Sequence, residues 1–422
     1  MNDTIYALSS GTPPAAIAVV RISGPLAEAA LETMTGVRPE PRRAALVTIR
    51  SGGEQIDRGL ALRFPGPNSA TGEDIAELHV HGGRAVVAAI LAALSEIEGL
   101  REAEPGEFTR RAFENGRIDL AEAEGLADLL TAETEAQRRA ALALAGGALS
   151  RQVEDWRQRL LALSADVEAV LDFSDEGEVA DSVPAHIAVG MRALSDEMRA
   201  FLARPSVERL RDGVRVAIAG PPNSGKSSLF NALVQRDAAI TSEIAGTTRD
   251  LIEAPVAIGG AAFVLVDTAG LRQTRDAIEK VGVERALASI EAADLVLWLG
   301  KSREAPAGAI RVHSKSDVTP QDSEADIAVS ALTGAGLGAL TTLLLERSSA
   351  LLALETGFAI NARHRGLIEN CSHSMRGAAD VFDPLLAAEA LRQGRSALDR
   401  LTGRAGVEDM LDALFGRFCV GK

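Results

Sequence analysis

No apolar run in the 422 residues approaches the roughly 20 needed to span a bilayer, so no membrane-crossing helix is expected. Met1–Ser10 lacks a basic start followed by an apolar core; no export signal is visible and a cytoplasmic location is expected. Cysteine is confined to Cys371 and Cys419, read in that compartment as thiols rather than a disulfide. Positive charge is short as well: 44 Lys and Arg face 59 Asp and Glu, giving a net charge of −15. A surface that gripped nucleic acid throughout would need dense cations, so any RNA contact is local or shared with a basic partner. Lysine is nearly missing, limited to Lys226, Lys280, Lys301, Lys315 and Lys422. Where this Arg-writing chain keeps Lys, a compact ammonium is wanted. No internal repeat or low-complexity segment stands out.

What is present points to one ligand. Residues 214–231 read VRVAIAGPPNSGKSSLFN, an alternating apolar strand, then GxxxxGKS, then a helix. Gly220 and Gly225 let the backbone curl so that its N–H groups, those of Asn223, Ser224 and Gly225 among them, face a polyphosphate. Lys226 reaches the outer phosphates, Ser227 can ligate Mg²⁺, and Ser228 follows on a helix whose positive end adds to the attraction. Downstream pieces come in the order a GTPase needs. Ser242, Glu243, Ile244 and Ala245 lead into Gly246, Thr247 and Thr248, of which Thr248 can ligate Mg²⁺ and sense a γ-phosphate. FVLVDTAG is a buried strand bringing Asp267 to the metal's water shell and Thr268, Ala269 and Gly270 to the phosphate. Lys315 and Asp317 of SKSD follow, with Asp317 placed to accept from two N–H groups of guanine. A site built around such a pair rejects an analogue lacking it by roughly 10⁴ or more, so GTP rather than ATP is expected. Ser330, Ala331 and Leu332 form the loop that touches the base edge.

Pattern changes divide the chain. Residues 1–118 mix short apolar runs with Pro and Gly turns and read as an α+β domain. Residues 119–212 are rich in Ala, Leu, Glu and Arg and read as long helices. Alternating α/β texture occupies 213–340, and helix returns over 341–422. The fold class expected is multidomain: an N-terminal α+β domain, then a helical domain interrupted by an inserted Ras-like P-loop GTPase domain. Val407, Met410, Leu411, Leu414, Phe415 and Phe418 fall on one helical face near the C-terminus. Only Gly300–Ala309 separates the apparent strands LVLWL and IRVHS, too little for the usual crossover helix. A bare loop crossover, with less cover on that sheet face, is expected.

Hydrolysis is read from an absence. Ras-type GTPases place a water-orienting Gln after DxxG, whereas Leu271 stands here and cannot hydrogen-bond. Arg272, Arg275, Asp276 and Glu279 are the nearby candidates for that role. The Asn223 carbonyl oxygen can either hold a cation or stabilise its own loop.

At this point the chain resembles the tRNA-modifying GTPase family MnmE, also called TrmE. The resemblance runs from TIYALSSGTPPAAIAVVRISG through FPGPNSATGEDIAELHVHGG and PGEFTRRAFENGRIDLAEAEGLADL to the terminal FCVGK. It implies an N-terminal domain that binds 5,10-methylenetetrahydrofolate or 5-formyltetrahydrofolate and forms a homodimer. It also implies a heterotetramer with the flavoprotein MnmG, which engages tRNA and attaches a (carboxymethyl)aminomethyl group at C5 of the wobble uridine. Carried over by residue, the folate contacts are Arg21, Glu77, Arg117 and Lys422, with Arg117 standing where the family has Lys. K⁺ falls to the side chains of Asn223 and Thr247 and the carbonyls of Ser242 and Ile244. Mg²⁺ falls to Ser227 and Thr248, water orientation to Glu279, and a part in one-carbon chemistry to Cys419. Ser314 departs from the family's Asn in NKxD, and its shorter hydroxyl makes fewer contacts between base and P-loop. Two rival readings are a ribosome-assembly switch GTPase and a folate-binding scaffold with vestigial hydrolysis. Folate binding by residues 1–118 separates the first, and potassium-stimulated turnover the second.

Overall fold

A computed structural model describes residues 3–174, 184–203, 210, 213–236, 252–267, 290–319, 322–352, 360–381, 383–405, 408–416 and 418–422. The chain divides into two compact units, Met1–Ala127 with Leu149–Glu154 and Asp399–Lys422, and Asp128–Ala148 with Asp155–Leu398.

The first unit is built on a six-stranded sheet of order β3-β4-β5-β2-β1-β6. Its strands are β1 (Thr4–Leu8), β2 (Ala15–Ser23), β3 (Ala45–Ser51), β4 (Glu54–Phe64), β5 (Ile75–Gly82) and β6 (Leu100–Glu102). All neighbours run antiparallel except β1 and β6. Period-two alternation explains the two faces. Ala18, Val20 and Ile22 of β2 and Ala76, Leu78 and Val80 of β5 are buried against α1 (Ala27–Thr35) and α2 (Arg84–Ser95). The residues between them, Arg21, Glu77 and His79, occupy the outer face. Gly52 and Gly53, both at positive φ, make the two-residue turn between β3 and β4. Over β1 the outer face is covered by α3 (Glu107–Glu114), whose Phe108 packs on Ile5 and Ala7.

An ionic cluster holds α3 down. Arg111, 2% exposed, donates to the Asp3 carbonyl at 2.9 Å and to the carboxylates of Asp3, Glu73 and Glu107 at 3.0–3.2 Å. Arg101 binds Asp3 and Glu107 from the other side. Burial pushes the Glu107 carboxyl upward, but Arg101, the Glu104 N–H and Arg111 outweigh it and hold the pKa below the ordinary 4.5.

The C-terminal helix α12 (Glu408–Phe415) belongs to this unit, and Leu411, Leu414, Phe415 and Phe418 pack against Leu120 and Ala123. Val407, expected on the same face, lies outside the described residues. The tail beyond does not project. Pro105 bridges Val420, the Gly106 N–H points to the Cys419 carbonyl at 3.5 Å, and Gly421 presses against Leu8. At both glycines φ is positive and a Cβ would overlap a backbone carbonyl, of Phe415 at Gly106 and of Leu8 at Gly421.

The second unit holds a six-stranded sheet of order β12-β11-β10-β7-β9-β8. It comprises β7 (Val214–Ala219), β8 (Ile252–Ile258), β9 (Ala261–Asp267), β10 (Leu295–Trp298), β11 (Ile310–His313) and β12 (Ile327–Ala328). Every pair is parallel except β8 with β9, the order of a Ras-like GTPase sheet. Helices α8 (Lys226–Arg236) and α9 (Leu337–Leu352) contribute Leu229, Phe230, Leu233, Leu340 and Leu344 to the core beneath it. Between β10 and β11 there is one 3₁₀ turn, Ser302–Glu304, and no α-helix. Cover is correspondingly one-sided: Leu297 and Leu299 are buried, whereas Val296 and Trp298 are half-buried.

Helices α4 (Leu120–Leu130), α5 (Glu135–Ala145), α6 (Ala148–Ser174), α7 (Ala185–Leu202), α10 (Ala362–Val381) and α11 (Pro384–Thr402) make up the helical part. α5 starts with a capping box of Thr134 and Gln137. Its Ala136 N–H donates to Gly260 at the β8–β9 turn, and Gln137 to the Leu210 carbonyl. In α7 and α10, Ser195 and Ser372 exchange hydrogen bonds through hydroxyls and carbonyls, small residues that let the helices close up. Burial pushes the Cys371 thiol up to about 12, as suits a structural cysteine. Among the described residues no helix is long and apolar enough to cross a membrane.

Replacing Arg111 by Met should cost the first unit about 3–5 kcal/mol, because the buried Glu107 and the half-buried Glu73 lose a cation that Arg101 replaces only in part. Glu107 titrates below its unfolded value, so its stabilisation is complete above about pH 4.5 and is lost as pH falls through the depressed folded value. The difference between wild type and Arg111→Met in calorimetric unfolding should therefore be largest near neutrality and narrow below that pH. A difference independent of pH would contradict the ionic account.

Candidate functional site

β7 runs into a loop whose path is set by three unusual backbone angles. Gly220 has φ 148°, Asn223 63° and Gly225 94°. A Cβ at Gly220 would lie 3.1 Å from Leu299 and from Ser224 Oγ, leaving no room for a side chain. Asn tolerates the left-handed region better than most residues. Such a path turns backbone N–H groups inward and carbonyls outward, the concave nest that binds anions. The outward carbonyls are then capped one by one. Lys226 Nζ donates to Pro221 at 2.8 Å, Lys315 Nζ to Asn223 at 2.8 Å, and Ser314 Oγ to Ser224 at 2.6 Å.

The remaining nucleotide residues are placed around this loop. Lys226, 8% exposed, folds over it from the first turn of α8, with Ser227 and Ser228 exposed beside it. Asp267 is buried at the end of β9, in register with Ile218 of the strand that feeds the loop. Ser224 Oγ is buried beside Gly220 and has no hydrogen-bond partner among the described residues. Asp317 is exposed on a turn closed by the Val318 and Thr319 N–H groups on the Lys315 carbonyl. The Ser316 N–H donates to the Val329 carbonyl at 3.1 Å, which ties this turn to Ser330, Ala331 and Leu332. Ser330 is buried and Leu332 is 88% exposed. Ser242 to Thr248, Thr268 to Gly270, Leu271 with its neighbours Arg272, Arg275 and Asp276, and Glu279 lie outside the described residues. Ser314, expected to make fewer contacts between base and P-loop than an Asn, gives its one hydroxyl proton to the loop backbone at Ser224.

A second constellation sits on the outer sheet face of the first unit. Arg21 and Glu77 are cross-strand partners in an ion pair of 2.9 Å, with the Arg21 guanidinium 5.8 Å over the Phe108 ring. His79 joins them through Nε2 to Glu77 at 3.1 Å. Sequence reasoning missed His79 and Phe108, although period-two alternation in ELHVHG puts His79 on the face of Glu77. Arg117 packs beside Gly72 in the connection from β4 to β5. That connection is fastened by Asn115 to the Thr71 carbonyl and by Thr71 to Ser23, two residues along β2 from Arg21. Lys422 is half-buried at the end of the tail. Gly421 lies on Leu8, one residue from Ala7, the β1 partner of Arg21. Cys419 is exposed.

Comparison with known proteins covers both parts of the chain. Residues 4–117 match the family model of the GTP-binding protein TrmE N-terminus, and residues 120–419 that of the MnmE helical domain. The tRNA modification GTPase MnmE of Rhizorhabdus wittichii is 58% identical over 427 residues, covering 100% of this chain and 97% of its own. That of Erythrobacter litoralis is 55% identical with full coverage of both chains. That of Novosphingobium aromaticivorans is 52% identical, again with full coverage of both. A guanine-nucleotide loop on a Ras-like sheet, both family models and these full-length relatives agree: the chain belongs to the MnmE/TrmE family of tRNA modification GTPases.

Proposed function

We propose that this GTPase works with the flavoprotein MnmG to add a (carboxymethyl)aminomethyl group at C5 of the wobble uridine of certain tRNAs, taking the one-carbon unit from a tetrahydrofolate. The observation that carries the reading is the coexistence, in one chain, of the capped phosphate loop and the Arg21–Glu77 pair on the outer sheet face. The domains are 1–118 for folate binding and dimerisation, 119–212 and 341–422 for the helical domain, and 213–340 for GTP hydrolysis. Homodimerisation through the first domain is supported by apolar residues on the same outer face. Leu46 and Leu60 are register partners exposed by 60% and 39%, and Ile17 nearby is exposed by 62%. Apolar surface of that kind on a sheet favours association.

In hydrolysis Lys226 binds the outer phosphates and the loop amides orient them. Ser227 and Thr248 would hold Mg²⁺. Asn223 and Thr247, with the Ser242 and Ile244 carbonyls, would hold K⁺, which supplies positive charge where an arginine finger does elsewhere. Glu279 orients the attacking water in place of the absent Gln. Arg21, Glu77, Arg117 and Lys422 bind folate, an anionic ligand suited to three cations and one acceptor.

Hydrolysis should run several-fold faster in K⁺ than in Na⁺. Asn223→Ala should flatten that difference while nucleotide binding in Mg²⁺ stays nearly intact. Equal rates of the wild type in the two salts would count against the cation role.

Deleting Val420–Lys422 should weaken folate binding, because the tail is seated on β1 beside the partner of Arg21. Cys419→Ser should abolish tRNA modification, and both variants should keep basal GTP hydrolysis. Folate titration and modification assays on the same preparations decide this. Normal modification by Cys419→Ser would reduce the thiol to a structural part.

A further inference from the structure

The residue that departs from the family's pattern in the base-reading segment, Ser314, has a defined occupation. Its Oγ donates to the Ser224 carbonyl at 2.6 Å. A hydroxyl carries one proton, whereas the amide of the Asn it replaces carries two N–H donors. An Asn can bond the loop with one donor and the base with the other. Ser314, with its proton on the loop, has only lone pairs left to offer.

Guanine gives those lone pairs nothing to bind on the relevant edge. Asp317 takes the N1–H and N2–H₂ side, and the opposite edge presents N7 and O6, both acceptors. The donors placed on this turn are directed elsewhere. The Ser316 N–H is on Val329, the Val318 and Thr319 N–H groups are on Lys315, and Thr319 Oγ1 is 2.7 Å from the Lys315 carbonyl. Lys315 Nζ turns away to the phosphate loop, with one of its three protons on the Asn223 carbonyl.

We infer that this protein reads guanine through its N1/N2 side without a hydrogen bond to N7, and that Ser314 is a positioning residue for the phosphate loop. Selectivity at position 7 of the purine is thereby given up, while the loop stays clamped. A purine with C–H at position 7 and an unchanged N1/N2 side should be accepted as well as guanine.

The test compares GDP with 7-deaza-GDP, which differs only by C–H in place of N7, as competitors against a fluorescent GDP on the full-length protein with Mg²⁺. Wild type should bind the two within about twofold of each other. Ser314→Asn should come to prefer GDP by roughly two- to tenfold, the worth of one net hydrogen bond. Ser314→Ala should weaken both nucleotides by the same factor, leaving their ratio near one. A wild type that favours GDP by fivefold or more would overturn the inference. So would Ser314→Asn without a gained preference, since residue 314 would then not face N7. Unchanged affinity of Ser314→Ala for both nucleotides would overturn its positioning role.

Discussion

Turning a run of backbone N–H groups toward a phosphate forces the carbonyls between them outward, and buried carbonyls must find donors. Three side chains cap such carbonyls here, one of them at the exposed Asn223. Lys226 caps Pro221 from within the motif, while Lys315 and Ser314 cap Asn223 and Ser224 from a loop 90 residues away in sequence. The phosphate-binding and base-reading segments are thus one mechanical object, held by carbonyl caps. Two of the chain's few lysines lie in this set. An ammonium on a flexible stem can reach a single carbonyl and still swing to a phosphate, which the planar fork of Arg does less well.

Close backbone approach plays the corresponding part in the first unit. Gly106 and Gly421 give up their side chains so that the segments around Phe415 and Leu8 can lie against them. The buried Arg111 cluster fixes α3, which carries Phe108 beneath Arg21 and Gly106 beside the tail. Positioning the Arg21–Glu77 pair therefore depends on an ionic network that itself faces no ligand. Breaking such a network is costly because the buried Glu107 loses one of its two cations.

Local pattern carried much of the fold. VRVAIAGPPNSGKSS announced strand, loop and helix, and the ten residues between LVLWL and IRVHS already ruled out a crossover helix. The amphipathic face of 407–418 was visible at helical spacing, and Leu411, Leu414, Phe415 and Phe418 are buried on it. Long-range contacts were not legible. Arg111 reads in TRRAFENG as one of two helix-surface arginines; it is buried because Asp3 and Glu73, 108 and 38 residues away, converge on it. Nothing in FCVGK signals that Gly421 fits against Leu8. Motif comparison shows that Ser314 has fewer donors than Asn; it does not show which partner keeps the one that remains, the Ser224 carbonyl.

The central claim is that the nucleotide loop of this chain drives modification of tRNA. Mass spectrometry of wobble uridines in tRNA tests it, in cells lacking the protein and in the same cells given wild type or Lys226→Ala. The C5 modification should vanish in the deletion, return with wild type, and stay absent with Lys226→Ala, whose loop has lost both its phosphate ligand and the cap on Pro221. Unchanged C5 modification in the deletion, or full restoration by Lys226→Ala, would contradict it.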